Sequence, residues 1–151
     1  MYLEQILTDS TTISLTKKID FLKSLGCDSV KHRNQTLLSH LIGVHDLLKE
    51  WDAPEYLQDA GLFHSVYGTT YFKPKMTVDR NAVRELIGTH AEALAAIFCF
   101  MPHPRLVGIN NEENETLRND LILLNSANVG DLSPRSMMTW EEAYNNGGKL
   151  K

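Results

Sequence analysis

Apolar residues recur at helical spacing along this chain of 151 residues, whereas the strict alternation that is typical of half-buried strands is scarce. The clearest stripe follows Asn34, and its members stand three or four positions apart. They are Leu37, Leu41, Val44, Leu47 and Leu48. Because such stripes must be buried against one another, the pattern predicts an all-α bundle of about six to seven helices with no significant sheet.

Glycines, prolines and capping residues divide this pattern into helices. The predicted segments are residues 3–7, 16–25, 34–51, 54–66, 79–87, 89–101 and 114–128. Asn34 is the expected cap of the third helix, and residues 89–92 match a capping box in which Glu92 reaches back to the Thr89 amide. The stretches 68–76 and 102–111 are typical of loops. We expect one domain over 1–151, with a tail over 133–151 that is frayed beyond a short helical stretch at 140–144.

Composition limits the classes of partner. Hydrophobic residues make up 42% of the chain, charged residues 23%, and the net charge is -4. A broad face for nucleic acid needs clustered Lys and Arg, so this balance predicts no nucleic-acid partner. No apolar run is long enough to span a bilayer, and the N-terminus lacks a basic stretch followed by an apolar one. We therefore expect a cytoplasmic protein with no membrane partner, in which Cys27 and Cys99 are reduced thiols.

Three polar side chains lie on the apolar stripes of three different predicted helices. His40 falls three residues after Leu37, and His64 and Asn128 likewise stand at helical spacing from apolar neighbours. An unpaired buried polar group costs about 1–3 kcal/mol, so these side chains are expected to share partners, water or a ligand. His40 and His64 are candidate catalytic residues, as donor and general base, because imidazole titrates near neutral pH. The alternative is that each histidine is a hydrogen-bonded core residue.

The loop after the fourth helix is expected beside these histidines. Gly68 is the predicted end of that helix, and Tyr67 and Tyr71 are large enough to wall a cavity over the loop 68–76. The alternative is an aromatic patch packed on the surface of the domain.

Three further residues are candidate ligand-binding groups. Ser65 follows His64, Asn128 faces the same core, and Arg33 precedes the third helix. A guanidinium there suits a phosphate or a carboxylate, so the expected partner is a small molecule that bears such a group. A solvated basic loop is the alternative for Arg33.

The segment around His64 resembles the HD-domain superfamily of helical metal-dependent phosphohydrolases, above all its alarmone-hydrolase branch. That branch carries Leu-His-Asp-Val-Val-Glu-Asp-Thr where this chain has Phe-His-Ser-Val-Tyr-Gly-Thr-Thr over 63–70, and residues 83–94 resemble its next helical segment. The resemblance covers about residues 30–132 and extends to an uncharacterised family of short HD-like proteins. It implies an HD-like helical bundle in which a first His, a His-Asp pair and a later Asp hold a divalent metal.

The chain departs from the HD pattern at each carboxylate. Ser65 replaces the Asp of the pair, and Gly68 and Thr69 replace the acidic pair beyond it. Asn128, or else Ser126, matches the final Asp. Hard divalent cations require anionic oxygen, so the resemblance implies weak or absent metal affinity and names no other cofactor. If a metal is bound, the expected ligands are His40, His64 and Asp131.

Three functions are compatible with these residues. The first is a pocket for a small polar ligand on an HD-like scaffold with a degenerate metal site, where His40 and His64 support metal-independent catalysis. The second is a metal-dependent phosphohydrolase that acts on a nucleotide or phosphate ester, which requires a carboxylate such as Asp131 to turn inward. The third is a non-enzymatic interaction protein whose histidines are core residues. The sequence does not decide whether the protein is an enzyme.

Overall fold

The structure is a computed structural model that describes residues 13–70 and 72–132. Over these ranges it contains six helices and one short hairpin. In chain order they are α1 (Leu15–Ser24), β1 (Lys31–His32), β2 (Gln35–Thr36), α2 (Leu37–Glu50), α3 (Glu55–Leu62), α4 (Arg80–Phe100), α5 (Arg105–Asn110) and α6 (Glu115–Leu132). The predicted all-α class is confirmed. The helices predicted at 3–7 and 140–144 lie outside the described residues.

Helix α2 lies at the centre of the bundle. It packs against α3 and α6, and α3 also packs against α4. The predicted stripe is buried, with Leu41, Val44 and Leu48 inaccessible to solvent, and each such side chain contributes about 1.5–3 kcal/mol to folding. Gly61 allows α3 to approach α2 closely, since a Cβ there would stand 2.7 Å from Leu48 Cδ1.

The start of α2 differs from the prediction. Thr36, not Asn34, caps the helix, and its hydroxyl accepts a hydrogen bond from the Ser39 amide at 3.1 Å. The reason is that residues 31–36 fold back as the antiparallel pair β1–β2, in which His32 is paired with Gln35. Asn34 therefore belongs to the two-residue turn of this hairpin.

The later helices also differ from the predicted boundaries. Helix α3 ends at Leu62, and turns carry the chain to Gly68, whose φ of 104° suits glycine. Helix α4 is kinked at Gly88, so the break predicted there is present although the helix continues. The predicted loop 102–111 contains α5. Helix α6 runs past Asn128 to Leu132 because Gly130 packs against Leu47 instead of ending the helix.

No helix in the described part of the chain is long and apolar enough to cross a bilayer.

Candidate functional site

A cavity of about 530 Å³ opens beside the start of α2. The hairpin, the turn after α3, residues 69, 70 and 72, the start of α5 and the end of α6 surround it. Its apolar wall comprises Val30, Leu37, Phe72 and Leu132. Its polar lining includes five of the predicted site residues, which are Arg33, His40, His64, Ser65 and Asn128. The volume is that of a small-molecule site.

His40 occupies the wall of this cavity on α2 and is almost fully buried. Its Nδ1 lies 2.6 Å from Asp131 Oδ2, and its Nε2 lies 2.9 Å from Asn128 Oδ1. Asn128 and Asp131 are three residues apart on α6, so they share one face of that helix. A carboxylate hydrogen-bonded to Nδ1 fixes the orientation of the ring.

Asp131 is held by more than His40. The Gln35 side-chain amide donates to Asp131 Oδ2 at 3.0 Å, and the Ser39 hydroxyl donates to Gln35 Oε1 at 2.9 Å. Gly43 leaves the space for this carboxylate, because a Cβ at residue 43 would stand 2.7 Å from Asp131 Cγ. Sequence reasoning missed the roles of Gln35 and Gly43. It considered Asp131 only as a conditional metal ligand, since α6 was predicted to end at Asn128.

His64 follows the end of α3 and is buried. Its Nδ1 donates to the Gly61 carbonyl oxygen at 2.7 Å. Burial, and next the nearby His40, lower the pKa of His64 to about 3, so the ring is neutral at physiological pH. The His40 and His64 rings approach to 5.4 Å between centroids in an edge-to-face arrangement, as predicted from their stripes.

The Nε2 of His64 faces the cavity as a hydrogen-bond acceptor. A neutral imidazole has one protonated nitrogen, and the Gly61 carbonyl already accepts from Nδ1. Within the described ranges, no fully inaccessible side-chain nitrogen or oxygen lacks a partner. The Nε2 of His64 has no hydrogen-bond partner among the described residues, so it is not one of these inaccessible atoms. Since His64 lines the cavity, Nε2 is accessible from the cavity. Ser65 is also buried and lines the cavity, and its hydroxyl has no hydrogen-bond partner among the described residues.

The cavity is strongly basic. Lys31, Arg33 and Arg105 line it, and no carboxylate does so among residues 13–70 and 72–132. None of these three cations makes an ion pair with a described residue, whereas Arg80 and Arg84 both pair with Glu92. The lining therefore lacks the anions that would balance its charge.

Arg105 is the cavity cation that sequence reasoning missed. Its Nε donates to the Phe98 carbonyl oxygen at 3.0 Å, and its Cζ lies 4.1 Å from the centre of the Phe98 ring. Burial lowers the pKa of its guanidinium. The only signal in the sequence was a basic residue after the His-Pro loop, and nothing local indicates that this loop folds over His64.

The hairpin carries the remaining basic residues at the mouth. The His32 ring stacks on His40 at 4.7 Å between centroids, and burial, followed by the nearby His40, lowers the pKa of His32. Arg33 occupies the hairpin turn with φ of 57°, a left-handed conformation that costs a non-glycine residue about 1–2 kcal/mol.

Tyr67 does not line this cavity, which corrects its predicted role. It lines a different cavity instead, together with Arg80 and Phe100. Its hydroxyl donates to Glu92 Oε2 at 2.6 Å, and its ring stacks on Phe100 at 5.6 Å. Glu92 is accordingly engaged by Tyr67, Arg80 and Arg84 and does not cap Thr89. Tyr71 lies outside the described residues, and the neighbouring Phe72 lines the cavity.

The arrangement does not fit a divalent metal. Among the residues that the structure describes, no three His, Cys, Asp or Glu side chains are grouped to hold an ion. Both ring nitrogens of His40 point at side-chain oxygens, and Asp131 faces His40 instead of converging with it on a common centre. Ser65 adds no negative charge. His40, His64 and Asp131 are therefore joined by hydrogen bonds and ring contacts and are not disposed as a metal shell.

A family model of a domain of unknown function, DUF6817, matches residues 21–103, which is more than half of the chain. The chain belongs to the DUF6817 family. No curated protein and no solved structure matches it. The DUF6817 segment includes the hairpin, His40 and His64, whereas Arg105, Asn128 and Asp131 lie beyond it.

Proposed function

We propose that this DUF6817 protein binds a small organic anion in the cavity between His40 and His64. The observation that carries the proposal is the charge of the lining, in which Lys31, Arg33 and Arg105 face the cavity without an ion-pair partner among the described residues. Arg105 is half-buried and Lys31 and Arg33 are exposed, so a bound phosphate or carboxylate would pair with the partly desolvated Arg105 and be attracted by the other two cations.

His64 serves in this proposal as a hydrogen-bond acceptor for the ligand, and its pKa of about 3 makes it a weak general base at neutral pH. Its neutral Nε2 faces the ligand space, while Nδ1 is held by Gly61. His40 was expected to share the chemistry as a donor, but both its ring nitrogens are engaged. Its role in this proposal is to fix Asn128, whose amide then lines the cavity in a defined orientation.

Arg105→Met tests the proposal, because methionine keeps much of the side-chain volume and removes the charge. Calorimetric titrations with inorganic phosphate, phosphate monoesters and small mono- and dicarboxylates should find anions that bind the native protein. The variant should bind them about tenfold or more weakly, since hydrogen bonds to charged groups contribute about 1.5–3 kcal/mol.

Arg118→Met is the matched control. Arg118 donates to the Glu112 carbonyl oxygen at 2.8 Å and does not line the cavity. The Arg118→Met variant should leave anion affinity unchanged. The proposal fails if no anion of the panel binds at millimolar concentration, or if the Arg105 and Arg118 variants bind anions equally well.

The HD-like scaffold with a degenerate metal site is part of the same proposal. The all-α bundle and the two histidines on successive segments support it. The double change Ser65→Asp and Asn128→Asp restores the two carboxylates of the HD pattern. If the correspondence holds, the variant gains affinity for Mn²⁺ or Zn²⁺, and the metal raises its melting temperature by mass action. A folded double variant that neither metal stabilises would contradict the resemblance.

A further inference from the structure

We infer that the ligand of this cavity carries a hydrogen-bond donor, a hydroxyl or an N–H group, close to its anionic group, so that the anion binds Arg105 while the donor binds His64 Nε2. The inference rests on the proposed anion site and goes further by naming the class of ligand, which is a hydroxy- or amino-substituted acid or phosphate ester.

The first support is the identity of the acceptor. A carbonyl oxygen can only accept, so the 2.7 Å contact with Gly61 places a proton on His64 Nδ1. A second proton on Nε2 would create a buried cation next to His40 and Arg105, which the burial of this ring opposes. The cavity therefore presents a lone pair at His64 within a lining that otherwise attracts negative charge. An anion alone leaves that lone pair unmatched.

The second support is the closeness of the two groups. Both groups contact the buried Phe98 ring, with the Arg105 Cζ 4.1 Å from the centre of that ring and the His64 ring 5.6 Å from the same centre. Because both distances are measured from the same point, the Arg105 Cζ and the centre of the His64 ring can be no farther apart than their sum. A molecule of a few heavy atoms can therefore contact both groups.

Ser65 supplies a third, adjacent polar contact. Its hydroxyl is buried, lines the cavity and has no hydrogen-bond partner in the described ranges. A hydroxyl both donates and accepts, so it can serve either the anionic group or the donor of the ligand. The geometry thus supplies a cation, an acceptor and an adaptable group within one small volume.

Matched pairs of probes that differ by one hydroxyl test this inference. L-malate is compared with succinate, and glycerol 3-phosphate with n-propyl phosphate, by calorimetric titration of the full chain. In at least one pair the hydroxylated member should bind about fivefold or more tightly, the effect of a typical neutral hydrogen bond. The pair that shows the effect distinguishes a carboxylate ligand from a phosphate ligand.

Two variants separate this inference from the anion proposal. His64→Phe should abolish the hydroxyl preference within each pair, whereas Arg105→Met should weaken both members by the same factor and keep the preference. Equal binding within both pairs, together with weaker binding to Arg105→Met, would overturn the inference and leave the anion site standing. Absence of binding by all four probes would overturn the inference, and the anion proposal would fall with it if no other anion of the panel binds.

The native protein provides a readout that does not depend on the folding of His64→Phe. In ¹⁵N-resolved NMR spectra of the imidazole rings, the hydroxylated probe should shift His64 Nε2, and the deoxy probe should not. Identical Nε2 shifts for both members of a pair would count against the donor contact.

Discussion

At the scale of single residues, Gly43 determines how closely α2 and α6 approach beside His40. A Cβ at this position would overlap the Asp131 carboxylate, with Asp131 Cγ only 2.7 Å away. Asp131 in turn fixes His40, and His40 fixes Asn128. One hydrogen atom in place of a methyl group thus permits the chain of contacts that shapes one wall of the cavity.

Gly43→Ala should therefore destabilise the protein by about 1–3 kcal/mol, the usual cost of overpacking, although alanine is the better helix former. Gly130→Ala is the matched control, since its Cβ would meet Leu47 Cδ1 at an ordinary 3.5 Å. It should stabilise α6 by about 0.5–1 kcal/mol. Urea unfolding measures both free energies, and a Gly43 variant at least as stable as the native protein would contradict this account of the site.

At the scale of elements, the β1–β2 hairpin holds its turn in a strained conformation to carry Arg33. Arg33 and Asp52 are the two non-glycine residues with positive φ among those described, at 57° and 58°. Asp52 lies beyond the end of α2 and does not line the cavity. Strain at Arg33 therefore accompanies a cationic side chain at the mouth of the cavity, and strained residues tend to cluster at functional sites.

Arg33→Gly should raise the free energy of unfolding by about 0.5–1 kcal/mol, because relief of left-handed strain outweighs the added entropy of glycine. The same change should weaken anion binding severalfold. Asp52→Gly relieves a similar conformation and should leave anion affinity unchanged. Urea unfolding and calorimetric titration with the tightest anion of the panel measure the two effects. Loss of stability in Arg33→Gly, or equal affinity in both variants, would refute the assignment.

Glu92 joins the two halves of α4 across the kink at Gly88. Arg80 and Arg84 from the first half contact its carboxylate at 2.7 and 3.2 Å, and Tyr67 donates to it from the turn after α3. Glu92→Gln should cost about 1–3 kcal/mol, since it leaves these donors poorly matched. The exposed Glu85→Gln is the control and should cost almost nothing. Equal urea midpoints for the two variants would contradict this role.

The elements that could be predicted from sequence are those with a long periodic pattern. The stripe of α2 placed His40 in the core, and the caps and glycines placed α1 and the start of α4. The hairpin could not be predicted because its strands have two residues each, too few to show alternation. Asp131 and Arg105 were missed for a different reason. Their roles depend on how α6 and α5 pack against α2 and Phe98, which no local pattern encodes.

At the scale of the whole molecule, the charge is divided between surface and cavity. The chain carries a net charge of -4, yet the cavity beside the start of α2 is lined by three cations and by four histidines. The chain's overall acidity therefore does not exclude an anionic ligand, since the local lining determines the charge that it meets. Binding of an anion beside these groups should weaken as ionic strength rises, because salt screens the attraction at the open mouth.

His64 links this cavity to the stability of the whole fold. Its pKa is about 3 in the folded protein, lowered by burial from an ordinary value of 6.5. Between these two values the unfolded chain binds a proton that the folded protein does not. The free energy of unfolding is therefore complete above pH 6.5 and falls as the pH falls, by up to about 1.4 kcal/mol per pH unit from this residue.

His64→Phe should remove this dependence, because phenylalanine fills the site without titrating. Urea unfolding at half-unit intervals from pH 5 to 8 should show a native free energy that declines as the pH falls through 6.5, and a variant curve that is flatter by up to about 1.4 kcal/mol per pH unit at the acid end. Leu62→Val, at a buried position, serves as control. It should lower the free energy of unfolding by the same amount at every pH and so keep the native slope. His32, whose pKa burial also lowers, leaves a smaller residual slope in the His64 variant. If the His64 variant keeps the full native slope, another group is responsible for the pH dependence of stability. His64 would then not be the neutral hydrogen-bond acceptor on which the proposed ligand class depends.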